Sequence, residues 1–262
     1  MTAVALAVHG ASGRMGQALL REAATLEDVQ VVAALVGSHS ALLGQPSGAN
    51  AGGLAYADAL PPGASPDVLV DFSLPGAFDA ALALARGHGI AFLGGTTGLS
   101  PMQQAALTDA AARIPVLWSA NFSLGVAVLA QLVEEAARLL PEWDCAISEA
   151  HHRGKRDAPS GTALALGRAV AAARGQAFDD AARTGPAGGE RVAGEIGFAV
   201  TRAGDIAGEH GVLFATAGER LELVHRATDR AVFARGALRA ARWLARRPAG
   251  LYTLRDLLAD RG

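Results

Sequence analysis

The stretch Val4–Gly16 reads VALAVHGASGRMG and joins an apolar run to a glycine-rich loop. The run Val4–Val8 has no polar face, as expected for a strand buried on both sides of a parallel sheet. Gly10, Gly13 and Gly16 then follow with the spacing G-x-x-G-x-x-G, a relative of the commoner fingerprint G-x-G-x-x-G. A tight turn alone would also explain these glycines. Their place between a strand and a helix favours binding of a dinucleotide, whose pyrophosphate approaches the N–H groups of a helix start.

Strand and helix signals alternate through this part of the chain. Buried strands are predicted at Val29–Leu35, Asp67–Phe72, Ile90–Leu93 and Pro115–Trp118, and helices at Gln17–Thr25 and about Gly76–Arg86. Such alternation predicts an α/β fold with a Rossmann-like doubly wound parallel sheet.

The pattern changes after Phe122. A helix is predicted over Leu124–Leu140, with Ser123 as its cap, and Gly175–Gly194 is predicted to be a loop. Extended segments that alternate polar and apolar residues are Cys145–Glu149, Glu195–Thr201, His210–Thr216 and Arg220–His225. They predict a second, α+β region with an open mixed sheet covered on one face, the last two segments forming a hairpin. The tail is predicted to form helices over Val232–Arg246 and Leu251–Leu258.

Residues 149–163 concentrate the chemistry, reading EAHHRGKRDAPSGTA. The adjacent His151 and His152 are followed by Lys155, the only lysine in the chain. A lysine ammonium is compact and changes its pKa readily, which a guanidinium does not. An imidazole supplies protons near neutral pH. The helix start at Ser160 to Thr162 offers free N–H donors, and Gly161 lets a carboxylate come close.

Other interpretations of the histidines carry less weight. His151 alone fits a capped loop histidine, and His152 fits a packing or orienting residue. No metal site is expected, because adjacent residues in a strand point to opposite faces and no nearby cysteines complete a set of ligands. His9, His39, His88, His210 and His225 are taken as structural or surface groups.

Three further loops follow predicted strands of the sheet, at Asp71–Pro75, Gly94–Gly98 and Ser119–Phe122. Each fits a turn, but together they form one rim suited to a nicotinamide. The end of the second strand has no acidic residue: it reads Leu35-Val36-Gly37-Ser38-His39. We therefore predict that Arg14, Ser38 and His39 receive a 2′-phosphate and that NADPH is used at least as well as NADH.

Composition limits the class of protein. The chain has 262 residues, of which 51% are hydrophobic and 18% charged, and a net charge of −2. It is long enough for one large or two moderate globular domains, without the basic field that nucleic acids or acidic lipids attract. No apolar run is long enough for a membrane span, and no basic segment precedes Val4, so we expect a cytoplasmic protein without a signal peptide. The single cysteine, Cys145, is predicted to be a small buried hydrophobe in a reducing compartment.

Four motifs together resemble the 4-hydroxy-tetrahydrodipicolinate reductase (dihydrodipicolinate reductase) family of bacterial diaminopimelate and lysine biosynthesis. They are GASGRMG at 10–16, GTTG at 95–98, ANFS at 120–123 and the His-His segment at 149–163. The resemblance spans the chain. It implies a dinucleotide-binding domain of residues 1–122 and 232–262, and an inserted α+β substrate domain of residues 123–231 whose sheet assembles a homotetramer. It also implies hydride transfer from NADH or NADPH to a cyclic dicarboxylate.

The resemblance also implies roles for individual residues. His151 is the expected general acid/base and Lys155 the expected proton donor, while His152, Gly161 and Thr162 are expected to bind the substrate. The cofactor is expected to contact Gly10, Ala11, Ser12, Gly13, Arg14, Met15, Gly95, Thr96, Thr97, Ser119, Ala120, Asn121 and Phe122. Two positions depart from the family pattern: Val36 stands where many members have an acid, and Gly154 where some have a third histidine.

Two alternatives stay open at this point. A non-catalytic redox regulator would use the glycine loop equally well but has no need of a proton donor beside a dicarboxylate pocket. A different nicotinamide enzyme, such as an amino-acid dehydrogenase, would differ in its substrate. Consumption of NAD(P)H with the product of the preceding condensing enzyme distinguishes these possibilities.

Overall fold

A computed structural model describes residues 3–48, 53–184 and 190–260 of the chain. The chain forms two compact units. The first contains the residues up to Ser123 and those from Ala231 onward, and the second contains Leu124–Arg230. Among the described residues, no helix has both the length and the apolar character needed to cross a membrane.

The first unit is built on a parallel sheet of seven strands in the order β12-β6-β5-β4-β1-β2-β3. The strands are β1 (Val4–His9), β2 (Val29–Leu35), β3 (Tyr56–Ala57), β4 (Val68–Asp71), β5 (Ala91–Gly94), β6 (Pro115–Trp118) and β12 (Gly250–Tyr252). The helices are α1 (Arg14–Ala23), α2 (Pro75–His88), α3 (Pro101–Ala111), α7 (Ala231–Leu244) and α8 (Leu254–Ala259).

Burial explains why the sequence folds in this way. Every residue of β4 and β5 is buried, as expected for central parallel strands, and all of them are apolar or glycine except Asp71 at the end of β4. Helices α2 and α3 pack together over one core that includes Phe78, Phe92 and Val116, while α1 packs against α7. The predicted doubly wound α/β sheet is confirmed.

The second unit has a mixed sheet of five strands in the order β11-β10-β7-β9-β8. The strands are β7 (Asp144–His151), β8 (Ala182–Arg183), β9 (Ile196–Arg202), β10 (Gly208–Thr216) and β11 (Glu219–Ala227). The helices are α4 (Leu124–Leu139), α5 (Gly161–Ala173) and α6 (Phe178–Ala181). Strand β7 runs parallel to β9 and antiparallel to β10, and β10 and β11 form the predicted hairpin about Gly218.

One face of this sheet is covered and the other is open. Helix α4 packs on β10 and β11, and α5 packs on β7 and β9. The core between them includes Ile147, Leu166, Phe214 and Cys145, which is fully buried as predicted. Burial raises the pKa of the Cys145 thiol to about 11, so the thiol is uncharged at neutral pH.

Two predictions need correction, and one long helix was missed. Gly175–Gly194 is not all loop, because it contains α6 and β8; residues 185–189 of that segment lie outside the described part of the chain. The segment Leu251–Leu258 is not one helix, because its start continues β12, which pairs with β6 before α8 begins. Helix α3 was not predicted. It begins with a capping box, in which the Ser100 hydroxyl accepts from the Gln103 N–H.

Candidate active site

In the first unit, four loops leave adjacent strands at the same carboxyl edge of the sheet. They follow β1, β4, β5 and β6, and we call them the carboxyl rim (residues 10–15, 71–73, 95–97 and 119–122). Ligands of open parallel sheets bind at this edge. The topology thus brings together the loops that were predicted to hold a cofactor.

The glycine loop of the rim is shaped for close backbone approach. Gly10 has a φ of +74°, and a Cβ there would lie 2.9 Å from the Phe72 carbonyl oxygen. A Cβ on Gly16 would lie 2.3 Å from the Gly10 carbonyl oxygen. No side chain caps the start of α1 at Gly13, which leaves the first-turn N–H groups available to an anion. This cradle fits the pyrophosphate of a dinucleotide.

A buried carboxylate, Asp71, connects the end of β1 with the loops that follow β4 and β5. Its two oxygens lie 2.7 Å from His9 Nδ1 and 2.7 Å from the Thr96 hydroxyl, which donates to it. The Ser73 N–H also donates to Asp71, at 3.2 Å. Thr96, predicted as a cofactor contact, is itself buried, so its hydroxyl serves this internal bond. Sequence reasoning assigned no role to Asp71.

Aromatic packing connects the loops that follow β4, β5 and β6. A Cβ on Gly95 would lie 2.2 Å from the Phe72 ring, so only glycine fits there. The Phe72 ring packs on buried Phe122 at a centroid distance of 5.5 Å. The Trp118 indole donates to the Thr96 carbonyl at 2.9 Å, and the Ser119 hydroxyl donates to the Asn121 carbonyl at 2.7 Å.

The exposed positions of the rim are those with room for a ligand. They are Ser12, Gly13, Arg14, Thr97 and Ala120. At the end of β2, Val36 is buried while residues 37–39 are exposed, and no atom lies within 4 Å of a Cβ built on Gly37.

In the second unit, β7 ends at His151 and α5 begins at Gly161, after its cap Ser160. His151 is 9% exposed, and its Nδ1 lies 2.5 Å from Glu149 Oε2. The Ser160 N–H donates to the other Glu149 oxygen at 3.1 Å. The buried Glu149 carboxylate therefore joins the end of the strand to the start of the helix.

Arg202 on β9 completes this arrangement. Its register on the sheet is opposite His151, and its two terminal nitrogens each donate to a Glu149 oxygen at 2.8 Å. Burial raises the pKa of the Glu149 carboxyl, but hydrogen bonds from Arg202, His151 and the Ser160 N–H outweigh it and leave that pKa below its ordinary value. Glu149 thus stays ionised at neutral pH.

His210 on β10 lies on the other side of His151. It is paired in register with Glu149, and its ring meets the His151 ring edge to face at 5.2 Å. Its Nε2 lies 3.2 Å from the Ser160 hydroxyl. Burial, assisted by the charge of His151, lowers the pKa of His210 to about 4, so this imidazole is neutral at physiological pH. We define Glu149, His151, Ser160, Arg202 and His210 as the histidine cluster.

The loop between β7 and α5 carries the lysine. Lys155 Nζ donates to Asp157 at 2.8 Å, and this bond lowers the pKa of the Asp157 carboxyl. Arg202 also donates to the Asp157 carbonyl at 2.6 Å, which connects the lysine loop to the histidine cluster. His152 and Thr162 are half-buried, and no atom lies within 4 Å of a Cβ built on Gly161.

Sequence reasoning missed part of this site. Glu149 was quoted without a role, Arg202 was not singled out, and His210 was taken as structural or surface. Their only signal is the register of β9 and β10 on β7, which a single sequence does not display. Within the described residues, no three His, Cys, Asp or Glu side chains are grouped so as to hold a metal ion.

Comparison with known proteins gives concordant matches over the whole chain. Two family models match, "Dihydrodipicolinate reductase, N-terminus" over residues 4–122 and "Dihydrodipicolinate reductase, C-terminus" over residues 125–258. The 4-hydroxy-tetrahydrodipicolinate reductase of Xanthomonas euvesicatoria is 50% identical, with 98% of each chain covered. That of Stenotrophomonas maltophilia is 51% identical, again with 98% of each chain covered.

Solved structures agree at the level of the fold. A dipicolinate-bound dihydrodipicolinate reductase from Paenisporosarcina sp. TG-14 superposes with a TM-score of 0.79 at 22% identity, covering 96% of this chain and 98% of its own. The diaminopimelate dehydrogenase of C. glutamicum superposes with a TM-score of 0.59 at 16% identity, covering 100% and 97%. At these identities, both likenesses show a shared fold.

Proposed function

The chain belongs to the dihydrodipicolinate reductase family, and from that premise we propose how its residues carry out the reaction. The enzyme reduces 4-hydroxy-tetrahydrodipicolinate to tetrahydrodipicolinate with NADH or NADPH, a step of diaminopimelate and lysine biosynthesis. One hydride and one proton enter the substrate and one water leaves, so the cofactor ends oxidised. The observation that carries the assignment of roles is the histidine cluster, an ionised carboxylate and a histidine beside a helix start.

The first unit holds the cofactor in this proposal. When bound, the reduced nicotinamide supplies the hydride. The N–H groups at the start of α1 bind the pyrophosphate, because the glycines at 10, 13 and 16 leave the backbone uncovered. The remaining contacts come from the carboxyl rim, at Gly95, Thr96 and Thr97 and at Ser119 to Phe122. Thr96 and Phe122 are buried, so they support the loops while the exposed backbone meets the ligand.

The second unit holds the substrate. Gly161 and Thr162 stand at the first turn of α5, whose N–H groups point toward one carboxylate, and the absence of a side chain at Gly161 lets that carboxylate approach. Lys155 adds a positively charged donor for the dicarboxylate, and the His152 ring adds a second hydrogen-bonding group. Lys155 exchanges its bond to the exposed Asp157 for one to the substrate.

Proton transfer is assigned to the two titratable groups of the His-His segment. His151 acts as general acid/base through its outer nitrogen, and Lys155 is the proton donor that accompanies it. Such positioned acid–base groups contribute about 10² to 10⁴ in rate.

Cofactor preference and assembly are further parts of the proposal. Arg14, Ser38 and His39 receive the 2′-phosphate, so NADPH serves at least as well as NADH. The open face of the second-unit sheet pairs with other copies in a homotetramer, because it carries small and exposed residues such as Ser148, Ala199 and Val224 that no helix covers. An enzyme that consumes NAD(P)H in biosynthesis belongs where that cofactor is regenerated, and we propose the cytoplasm.

Replacement of His151 tests the assignment. We expect His151→Gln to lose two or more decades of kcat, because glutamine cannot carry a proton, while NAD(P)H binding changes little. The assay follows NAD(P)H absorbance with substrate made in situ by the condensing enzyme. His88→Gln, at an exposed histidine of the first unit, is the matched control. Near-normal turnover by His151→Gln would remove His151 from this role, and a wild-type chain that binds NAD(P)H without oxidising it would favour the regulator.

A further inference from the structure

The hydrogen bonds of Glu149 determine which nitrogen of His151 is available for chemistry. The Glu149 side chain is 1% exposed and ionised, so it accepts hydrogen bonds and donates none. His151 Nδ1, at 2.5 Å, must therefore be the nitrogen that carries a proton in the neutral ring. The other nitrogen, Nε2, is then the one that takes up or releases a proton during turnover.

The surroundings of Nε2 are kept clear. A Cβ on Gly208 would lie 3.2 Å from Nε2, so the glycine leaves open a space that any other residue would narrow. The His210 ring packs edge to face against His151 and limits its rotation. The imidazole is held from the Glu149 side, and residue 208 places no side chain against its Nε2 atom.

Arg202 has a separate effect on the same proton. A bare buried carboxylate in contact with an imidazole stabilises the imidazolium and would hold its proton tightly. The bidentate pair with Arg202 brings the Glu149–Arg202 unit to zero net charge. Glu149 can therefore orient the ring without trapping the proton on it.

We propose that Glu149 is a positioning residue that fixes His151 with Nδ1 protonated and Nε2 facing the substrate, and that Arg202 is the counterion that keeps the Nε2 proton transferable. The proposal rests on the proposed function, because it assumes that His151 is the general acid/base. The charged and titratable groups around His151 are Glu149 on its own strand, Arg202 on β9, His210 on β10, and Lys155 and Asp157 in the loop.

Removing the charge of Glu149 and removing that of Arg202 should shift the pH–rate profile in opposite directions. Glu149→Gln removes the anion, so the limb of the pH–rate profile that requires a protonated acid should move down by about one pH unit. Arg202→Gln leaves the anion uncompensated, so the same limb should move up by a similar amount. Both variants should lose about 10- to 100-fold in kcat with little change in KM for NAD(P)H. Arg202→Lys, which keeps the charge, should retain the wild-type profile.

Two further measurements distinguish a loss of His151 positioning from a general disruption of the structure. In the His151→Gln background, Glu149→Gln should cause little additional loss, because the two residues act as one unit. Nitrogen NMR of the histidine rings should show His151 protonated on Nδ1 in the wild type and a mixture of tautomers in Glu149→Gln. Glu135→Gln, at an exposed carboxylate of α4, is the control that should change none of these readouts.

The outcomes distinguish the two proposals. If the enzyme is active but both variants shift the profile in the same direction, or the losses add in the double variant, Glu149 and Arg202 are merely structural. If the NMR shows His151 protonated on Nε2, the positioning is overturned whatever the activity. If the wild type does not reduce the substrate, the proposed function fails, while the tautomer measurement still tests the contact. Should Arg202→Gln not fold, Arg202→Lys and Glu149→Gln still carry the test.

Discussion

At the scale of single residues, the candidate site contains two kinds of titratable group. Some are proposed to gain or lose a proton during the reaction, and others keep one protonation state. His210 belongs to the second kind, since it is 4% exposed and its pKa is lowered to about 4 by burial and by the neighbouring His151. A neutral His210 adds no second positive charge beside the acid/base. It also contacts Ser160, the cap of the helix whose start we assign to substrate binding.

The depressed pKa of His210 predicts a pH-dependent stability. In the unfolded chain an imidazole takes up a proton near pH 6.5, whereas in the fold His210 does so near pH 4. The neutral form therefore contributes fully above pH 6.5, and its contribution falls progressively as the pH drops toward 4. The resulting loss in the free energy of unfolding is on the order of 3 kcal/mol or less. Urea unfolding at pH 7, 5.5 and 4.5 measures the free energy of unfolding. We expect this free energy to fall less steeply with decreasing pH in His210→Gln than in the wild type.

Two other groups bear on that measurement. Burial also lowers the pKa of His225, so part of the decline remains in the variant. The lowered pKa of Glu149 removes stability only below its ordinary value of 4.5, so this loss falls in a more acidic range. His88→Gln should decline with pH as the wild type does. A His210→Gln variant as steep as the wild type would show that His210 is not the group responsible.

The sequence predicted those site residues that lie close to one another along the chain. The His-His pair, the single lysine and the helix start at Gly161 lie within one short segment, and the helix begins there as predicted. Arg202 and His210 reach the same place only through strand pairing. Asp71 and Thr96 meet only because β4 and β5 are neighbours in the sheet. No pattern in one sequence gives these distances.

At the scale of elements, we propose that the residues at the end of β2 set the preference between NADH and NADPH. Val36 follows the last residue of β2 and is buried. Residues 37–39, which come next, are exposed and carry no negative charge. An acid at this position would bond the ribose hydroxyls of NADH and repel the 2′-phosphate of NADPH.

Val36→Asp should therefore shift preference toward NADH. We expect a change of about 1–3 kcal/mol in the ratio of the two kcat/KM values, comparable to one charge-assisted contact. Val36→Asn, of similar size but without charge, is the matched control and should shift the ratio far less. Strong preference of the wild type for NADH would contradict a phosphate site formed by Arg14, Ser38 and His39.

Long elements were predicted within a few residues, and short ones were missed. Strands β3, β8 and β12 have two or three residues, too few for any periodicity, and they exist because an edge was available to pair with. Helix α3 is a different case. Its capping signal, Ser100 followed three residues later by Gln103, was present in the sequence and would have located the helix start.

At the scale of the whole molecule, the open face of the second-unit sheet is the surface that we propose for assembly. Val224 on β11 is 49% exposed there, opposite Gly211 on β10. On the same face, β7 and β9 carry the small side chains of Ser148 and Ala199, while β11 adds Arg220, Glu222 and Arg226 on either side of Val224.

A charge on that face should disrupt assembly. We expect sedimentation to give the wild type about four times the chain mass of 26.6 kDa. Val224→Asp should give smaller species, because removing a carboxylate from water at an interface between sheets costs free energy. Leu251→Asp, at a residue 52% exposed in the first unit, is the control and should keep the wild-type mass. A monomeric wild type, or a Val224→Asp variant of unchanged mass, would rule out assembly through this face.

The burial of Cys145 has a practical consequence for spectroscopy. It is the only thiol in the chain, it is fully shielded from solvent, and its pKa of about 11 leaves almost no thiolate at neutral pH. Maleimide dyes react with thiolate, so the native protein stays unlabelled without any mutation of its own cysteine. A cysteine introduced at an exposed position of each unit would then take a donor and an acceptor dye. Distances between the units could be followed by energy transfer in an otherwise natural enzyme.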